Sequence, residues 1–276
     1  MAPSGSPSTR RGAMHAGVHA RKQPEIIAPE LLMLAYRGGI FPMADHRDDP
    51  DIFWVEPRKR AILPLDGLKV SRSLARALRR ERFRVTCNAA FGQVLGECAA
   101  PRPGEDKGED EGGESWISRR IAASYMRLHE LGHAHSIECW RDDRLVGGLY
   151  GVGFDRVFCG ESMFSRMPDA SKVALCWLVA AMRAGGFALL DCQFMTPHLE
   201  SLGAIEITQA HYVRLLKAAQ RSAPSPEAGE DAGDGDGDGD GEAVALPAAF
   251  AALPGEAEGV SSSPGNFIAQ SLTQTS

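Results

Sequence analysis

Residues 135–152 read HSIECWRDDRLVGGLYGV, two apolar, partly β-branched runs on either side of the pair Asp142-Asp143. Such runs around an Asp-rich turn predict a β-hairpin. A further short strand is expected around Val157 and Phe158, so this part of the chain reads as an antiparallel meander. Helix signals lie on both sides of it. Upstream, a helix is predicted from Ser118 to Leu131, stopped by Gly132; downstream, a long one from an Asp169 cap to Gly185, then an apolar run over 187–194 and a last helix from Thr208. Nearer the N-terminus, Pro29 and Glu30 open a helix that carries Leu31, Leu32, Leu34 and Ala35 and stops at Gly38-Gly39, and Ser71 opens another. Strands and helices in this mixed order predict an α/β (α+β) sandwich with a largely antiparallel sheet.

The average composition, 43% hydrophobic and 24% charged, excludes a collagen, a coiled coil and a wholly disordered chain. The charge is very unevenly placed. Residues 222–276 hold ten Asp and Glu and no Lys or Arg, so a net charge of −6 conceals a body, residues 1–221, of +4. Residues 221–276 are expected to form a disordered acidic tail, 101–113 a mobile acidic insert, and 1–24 a disordered leader. The Arg10-Arg11 pair is followed by charge and His rather than an apolar core, and no run reaches the roughly 18 residues of a membrane helix; a cytoplasmic protein is expected. The Asp-Gly repeat over 234–240 lacks the Glu and flanking helices of a calcium loop. Six dispersed cysteines never form a Cys-x-x-Cys pair, which fits reduced thiols and offers no structural zinc site.

His129-Glu130-Leu131-Gly132-His133 matches the zinc-peptidase pattern His-Glu-x-x-His, which works only if one continuous helix face carries both imidazoles. Gly132 is a stop signal between them, and the residues after it alternate like a strand. The histidines are therefore expected to order a helix-to-strand junction, and no metal or other cofactor is expected.

Two apolar strands end in polar groups. In 189–194 (LLDCQF), strand alternation predicts Asp191 and Gln193 on one face and Leu190, Cys192 and Phe194 on the other. In 158–166 (FCGESMFSR), Glu161 closes a similar run, with a salt bridge to Arg166 as the structural alternative to a functional role. Two such ends in one sheet suggest a pocket.

These blocks, with Gly39-Ile40-Phe41-Pro42, Trp116-Ile117, 128–138 (LHELGHAHSIE), 146–151 (VGGLYG), Ala170-Ser171-Lys172 and Ser201-Leu202-Gly203-Ala204, resemble the bacterial leucyl/phenylalanyl-tRNA–protein transferases over residues 30–220. The resemblance implies a small N-terminal subdomain (25–60) and an acetyltransferase-like (GNAT) domain (61–220), without the Arg-x-x-Gly-x-Gly loop of acetyl-CoA enzymes. It implies transfer of Leu or Phe, and Met less well, from aminoacyl-tRNA to proteins with N-terminal Arg or Lys, marking them for N-end-rule degradation. The rival readings are a tRNA-binding module without catalysis, a CoA-dependent acetyltransferase and a zinc peptidase.

By the same resemblance Asp191 and Gln193 match a pair that holds and deprotonates the α-amino group. Chemically only Asp191 is basic enough, with Gln193 left to orient the reacting centre. Glu161 matches a cleft acid that favours a cationic acceptor. Leu149, Phe158, Leu175, Leu178, Met182 and Leu190 match the side-chain pocket, and Trp116 the platform for the terminal adenosine. Met43 stands where many relatives carry a second Trp. The basic tract Arg58, Lys59, Arg60, Lys69, Arg72, Arg76, Arg79 and Arg80 is expected to neutralise tRNA phosphates without reading sequence. No DNA or membrane partner is expected.

Overall fold

The computed structural model describes residues 25–101, 115–221, 244–253 and 264–273. In chain order the elements are α1 (Pro29–Arg37), β1 (Phe41–Met43), β2 (Phe53–Val55), β3 (Lys59–Ile62), α2 (Arg72–Arg79), β4 (Arg84–Cys87), α3 (Phe91–Cys98), α4 (Arg119–Glu130), β5 (Ala134–Arg141), β6 (Arg144–Phe154), β7 (Val157–Ser165), α5 (Ala170–Ala184), β8 (Leu189–Gln193), α6 (Pro197–Ser201), β9 (Ile205–Thr208), α7 (Gln209–Gln220), α8 (Leu246–Ala251) and α9 (Pro264–Thr273). The leader 1–24, all of the insert but Pro101, and the Asp-Gly repeat lie outside the described residues.

The expected meander is β5-β6-β7 within a seven-stranded mixed sheet of order β4-β5-β6-β7-β8-β3-β9; β1 and β2 pair separately. Every pairing in the large sheet is antiparallel except β7 with β8. A parallel pair needs a crossover, and α5 supplies it. Alternation along the strands sends Leu149, Phe158 and Leu190 to a core under α2, α5, α8 and α9, and Tyr150, Val157, Cys159 and Leu189 to a second core under α1, α3, α4 and α7. Helices on both faces explain why β5 and β6 are buried almost throughout instead of alternating.

Several helix signals operate as expected. The side chains of Ser71, Ser118 and Thr208 each accept a hydrogen bond from the backbone N–H three residues on, satisfying donors that a helix start leaves free. Asp169 departs from expectation: it precedes α5 but sits in the left-handed region at φ 71° and makes no capping bond. Its carboxylate instead lies 3.9 Å from Arg82.

The tail also departs from expectation. α8 packs on α5, and α9 on α2 and α5, burying Leu246, Ala249, Leu253, Ile268, Ala269 and Leu272. Gly265 lets α9 approach α2, since a Cβ there would meet the Leu78 carbonyl oxygen at 2.0 Å. Arg183 ties the layer together by donating to the carbonyls of Leu65 (2.7 Å) and Ser271 (3.0 Å). The ten acids that dominate the tail's composition all fall outside these two helices. Deleting residues 244–276 should lower unfolding free energy by about 2–4 kcal/mol, the burial of several apolar side chains less the ordering entropy returned. Urea unfolding of the truncated chain checks this; an unchanged midpoint would show that the two helices contribute nothing to the core. Among the described residues no helix is long and apolar enough to cross a membrane.

Candidate active site

The site forms where the sheet splits. β7 and β8 pair from Val157↔Leu189 to Cys159↔Asp191 and then part, β7 continuing against β6 as far as Ser165. Between them opens a cavity of about 770 Å³, with Leu149, Leu175, Leu178 and Leu190 among its apolar walls and Phe41, Met43, Trp116 and Phe194 also lining it. This is the size and character of a small-ligand site, apolar with a few convergent polar groups.

Each strand carries a β-bulge at the split. On β7, Tyr150 pairs with Ser162 and Gly151 with Gly160, so Glu161 has no partner on β6. Gly151 permits this, because a Cβ there would lie 2.2 Å from the Cys159 carbonyl oxygen. On β8, Ile62 pairs with Asp191 and Ala61 with Gln193, leaving Cys192 as the extra residue, and Gln193 takes a left-handed φ of 54°. Bulges re-aim side chains, and here they break the alternation expected for 189–194. Phe194 does not enter the core with Leu190; it is exposed, lines the cavity and meets the Phe41 ring edge-on at 5.7 Å.

Asp191 and Gln193 therefore do different things. Asp191 is fully buried and does not line the cavity, whereas Gln193 does. The Asp191 carboxylate accepts four hydrogen bonds: Oδ1 from Arg60 Nε (2.9 Å) and the Gln193 backbone N–H (2.9 Å), Oδ2 from Arg60 Nη2 (2.5 Å) and the Tyr212 hydroxyl (2.8 Å). With every acceptor position occupied and no face on the cavity, it has no lone pair to offer an incoming ammonium, which corrects its assignment as the base. Arg60 is likewise corrected: at 2% exposure it cannot reach tRNA phosphates.

Glu161 is half-buried and lines the cavity. It accepts hydrogen bonds from the Tyr125 hydroxyl (3.0 Å) and the Gln193 side-chain amide (3.0 Å), and Tyr125 is itself 2.5 Å from the Tyr36 hydroxyl. Burial raises its pKa to about 7, against the opposing effect of the Tyr36 and Tyr125 hydroxyls. Burial also holds both phenols well above their ordinary value, so they remain donors. The Arg166 alternative does not form; Arg166 pairs with Glu97 at 2.5 Å.

Of the residues expected to line the pocket, Trp116, Leu149, Leu175, Leu178 and Leu190 do so. Phe158 and Met182 do not; both are fully buried in the core behind it, the outcome that helical or strand spacing alone cannot distinguish. In the basic tract Arg58, Lys69, Arg72, Arg76, Arg79 and Arg80 are exposed, and Lys59 is exposed but paired with Glu206 at 2.7 Å. At the His-Glu-x-x-His match, α4 ends at Glu130 and Gly132 turns the chain at φ 81°. His129 stacks on Phe91 at 4.2 Å with Nδ1 2.8 Å from the Ala134 carbonyl oxygen, so the two histidines share no helix face. Sequence reasoning missed Tyr36, Tyr125 and Tyr212. Their signal was a phenol set within an apolar helical stripe, since a buried tyrosine hydroxyl needs a partner.

A mixed α/β sandwich whose sheet splits around an apolar cavity headed by an acid and an amide is the architecture of a protein that receives a largely apolar group beside a polar head. Family models described as leucyl/phenylalanyl-tRNA protein transferase and its N-terminal domain match residues 62–217 and 26–58. Proteins named leucyl/phenylalanyl-tRNA–protein transferase are 63% identical over 93% of this chain and 100% of the relative in Novosphingobium aromaticivorans, and 58% identical over 70% and 75% in Rhizorhabdus wittichii. A third, from Zymomonas mobilis, is 55% identical over 71% of each chain. A solved structure described as "The structure of L-PGS from Bacillus licheniformis" has 13% identity and a TM-score of 0.32 over 62% of this chain and 55% of that one, too slight a likeness to argue fold from. The chain belongs to the leucyl/phenylalanyl-tRNA protein transferase family, and it is a transferase.

Proposed function

We propose that this enzyme moves Leu or Phe, and Met less well, from aminoacyl-tRNA to the α-amino group of proteins that begin with Arg or Lys, in the cytoplasm, so marking them for N-end-rule degradation. The observation that carries the reading is the cavity itself, apolar along its walls for an aliphatic or aromatic side chain and acidic at its head for a cationic acceptor. The parting of a parallel strand pair at the site also supports reading the sandwich as GNAT-like, and the separate β1-β2 pair supports a small N-terminal subdomain that ends before β3, a strand of the large sheet.

The donor is an ester on the terminal ribose. The acceptor nitrogen attacks its carbonyl carbon, the bond to the ribose oxygen breaks and an amide forms; of the two protons the ammonium loses, one ends on the departing ribose oxygen and one leaves through a base. Glu161 is placed for that base, because it faces the cavity and its raised pKa matches the working pH. The Gln193 amide, held beside it, orients the reacting centre. Trp116 and Met43 at the cavity wall would cover the terminal adenine. One methylene in an apolar pocket is worth only about 1–3 kcal/mol, so Leu, Phe and Met are discriminated modestly.

The test is transfer of labelled Leu from Leu-tRNA to a peptide beginning with Arg, beside the same peptide Nα-acetylated. Transfer to the free peptide alone, abolished by ribonuclease, is expected; tRNA retention without turnover would move the non-catalytic binding reading to the front. The tRNA should be held by Arg58, Lys69, Arg72, Arg76, Arg79 and Arg80. Its affinity should fall with salt by roughly 0.7–0.9 log units per log unit for each phosphate neutralised, and an Arg76→Glu/Arg79→Glu pair should flatten that slope by about two contacts' worth. Affinity indifferent to salt would remove the tract from the site.

A further inference from the structure

We propose that Arg60 and Tyr212 are positioning residues for the transfer: through the Asp191 carboxylate they set the backbone turn at Gln193, and so the aim of its amide at Glu161. The inference rests on the reading of the cleft given above. Arg60 comes from β3, which pairs with β8 on the edge opposite β7, and Tyr212 from α7, which packs on β3, β7 and β8; neither residue lines the cavity. The Arg60 guanidinium is gripped on all sides. It lies 4.8 Å from the Phe41 ring centre and 4.3 Å from that of Tyr212, gives Nη1 to the Gly39 carbonyl oxygen at 2.9 Å, and gives two further N–H groups to Asp191. Such a fork fixes the plane of a carboxylate, which a single hydrogen bond does not.

The Asp191 oxygen held by Arg60 Nε is the same atom that accepts the Gln193 backbone N–H. A non-glycine residue at φ 54° occupies a sparsely populated region that persists only where its surroundings over-determine it. The clamp is that surrounding. In an extended conformation Gln193 would follow strand alternation to the face of Asp191; turned as it is, its amide reaches Glu161 at 3.0 Å and lines the cavity. A well-packed apolar pair would hold β3 to β8 about as firmly as a buried ion pair. What the ion pair adds is an acceptor at a defined point for one N–H.

The experiment is a double-mutant cycle with an exchange measurement. Tyr212→Phe keeps the ring stacked on Arg60 and removes one hydroxyl; Arg60→Lys keeps the charge and removes the fork. In the full chain, Tyr212→Phe should lower kcat about fivefold and Arg60→Lys about thirtyfold, with KM for Leu-tRNA within about twofold, as expected for a misplaced reacting group. In a Gln193→Ala background neither change should lower kcat further. Equal losses in both backgrounds would mean that the pair merely cements the fold, and would overturn the proposal. The Gln193 backbone amide should exchange with solvent deuterium at least about tenfold faster in Arg60→Lys than in the unaltered protein, while amides in β5 and β6 keep their protection. Unchanged protection at Gln193 would also overturn it. Exchange is read without substrate, so it decides the clamp even if the assigned substrates are wrong, and transfer by the unaltered enzyme decides the substrates.

Discussion

Asp191→Ala should lower the unfolding free energy by about 3–5 kcal/mol, among the largest losses open to a single side chain here. The cause is the guanidinium left behind. Arg60 is 2% exposed, and burial by itself disfavours its charge; the hydrogen bond and charge of Asp191 outweigh that and raise its pKa. Without the carboxylate, two donors of Arg60, the Tyr212 hydroxyl and the Gln193 N–H all lose their acceptor inside the protein. A double replacement, Arg60→Met with Asp191→Leu, should recover much of the stability and none of the activity, since it removes the buried charge without restoring the clamp. Denaturant midpoints and transfer rates on the three proteins check both parts. An Asp191→Ala protein as stable as the original would mean that the carboxylate is not the partner that keeps Arg60 buried.

Glu161→Gln should leave the protein folded and reduce kcat by about 10²–10³-fold at pH 8, the usual worth of a positioned base. The pH dependence follows from the direction of the shift. Glu161 is raised from 4.5 to about 7 by burial, so its basic form predominates only above neutrality, and transfer should rise with pH through about 7; the Glu161→Gln protein should lack that limb. Stability runs the other way. The unfolded chain releases this proton near 4.5 and the folded chain holds it to about 7, so ionisation costs the folded state, and stability is lost as pH rises across that window, by roughly 3 kcal/mol. A rate profile flat from pH 6 to 8 would assign the proton to another acceptor, such as the donor's ribose hydroxyl.

Much of the fold was legible locally. The Asp142-Asp143 turn, the stop at Gly132, and the caps at Ser71, Ser118 and Thr208 are each decided by the preferences of one or two adjacent residues, so short-range reading suffices. Asp169 shows where that fails: it stands where a cap belongs, yet its backbone conformation makes no capping bond. The two tail helices were hidden by an average, because ten acids outside them outweigh a handful of apolar residues within. At the site, Glu161 and Gln193 were found as polar ends of apolar strands and do line the cavity, while Asp191, chosen on the same grounds, is buried behind it.

By itself the sequence placed the β5-β6-β7 meander, the run that becomes β8 and the helices α1, α2, α4, α5 and α7, showed which residues could carry charge into an apolar setting, and, through its motifs, pointed to the family. Only the tertiary structure decided which carboxylate faces the cavity. That choice turns on two bulges, one in the β6-β7 hairpin and one between β3 and β8, which come from distant parts of the chain, and on Arg60 and Tyr212, which lie 131 and 21 residues from Asp191. Strand alternation is a property of one segment, but a bulge belongs to a pair, and a buried carboxylate becomes an anchor or a base according to the donors that its neighbours bring to it.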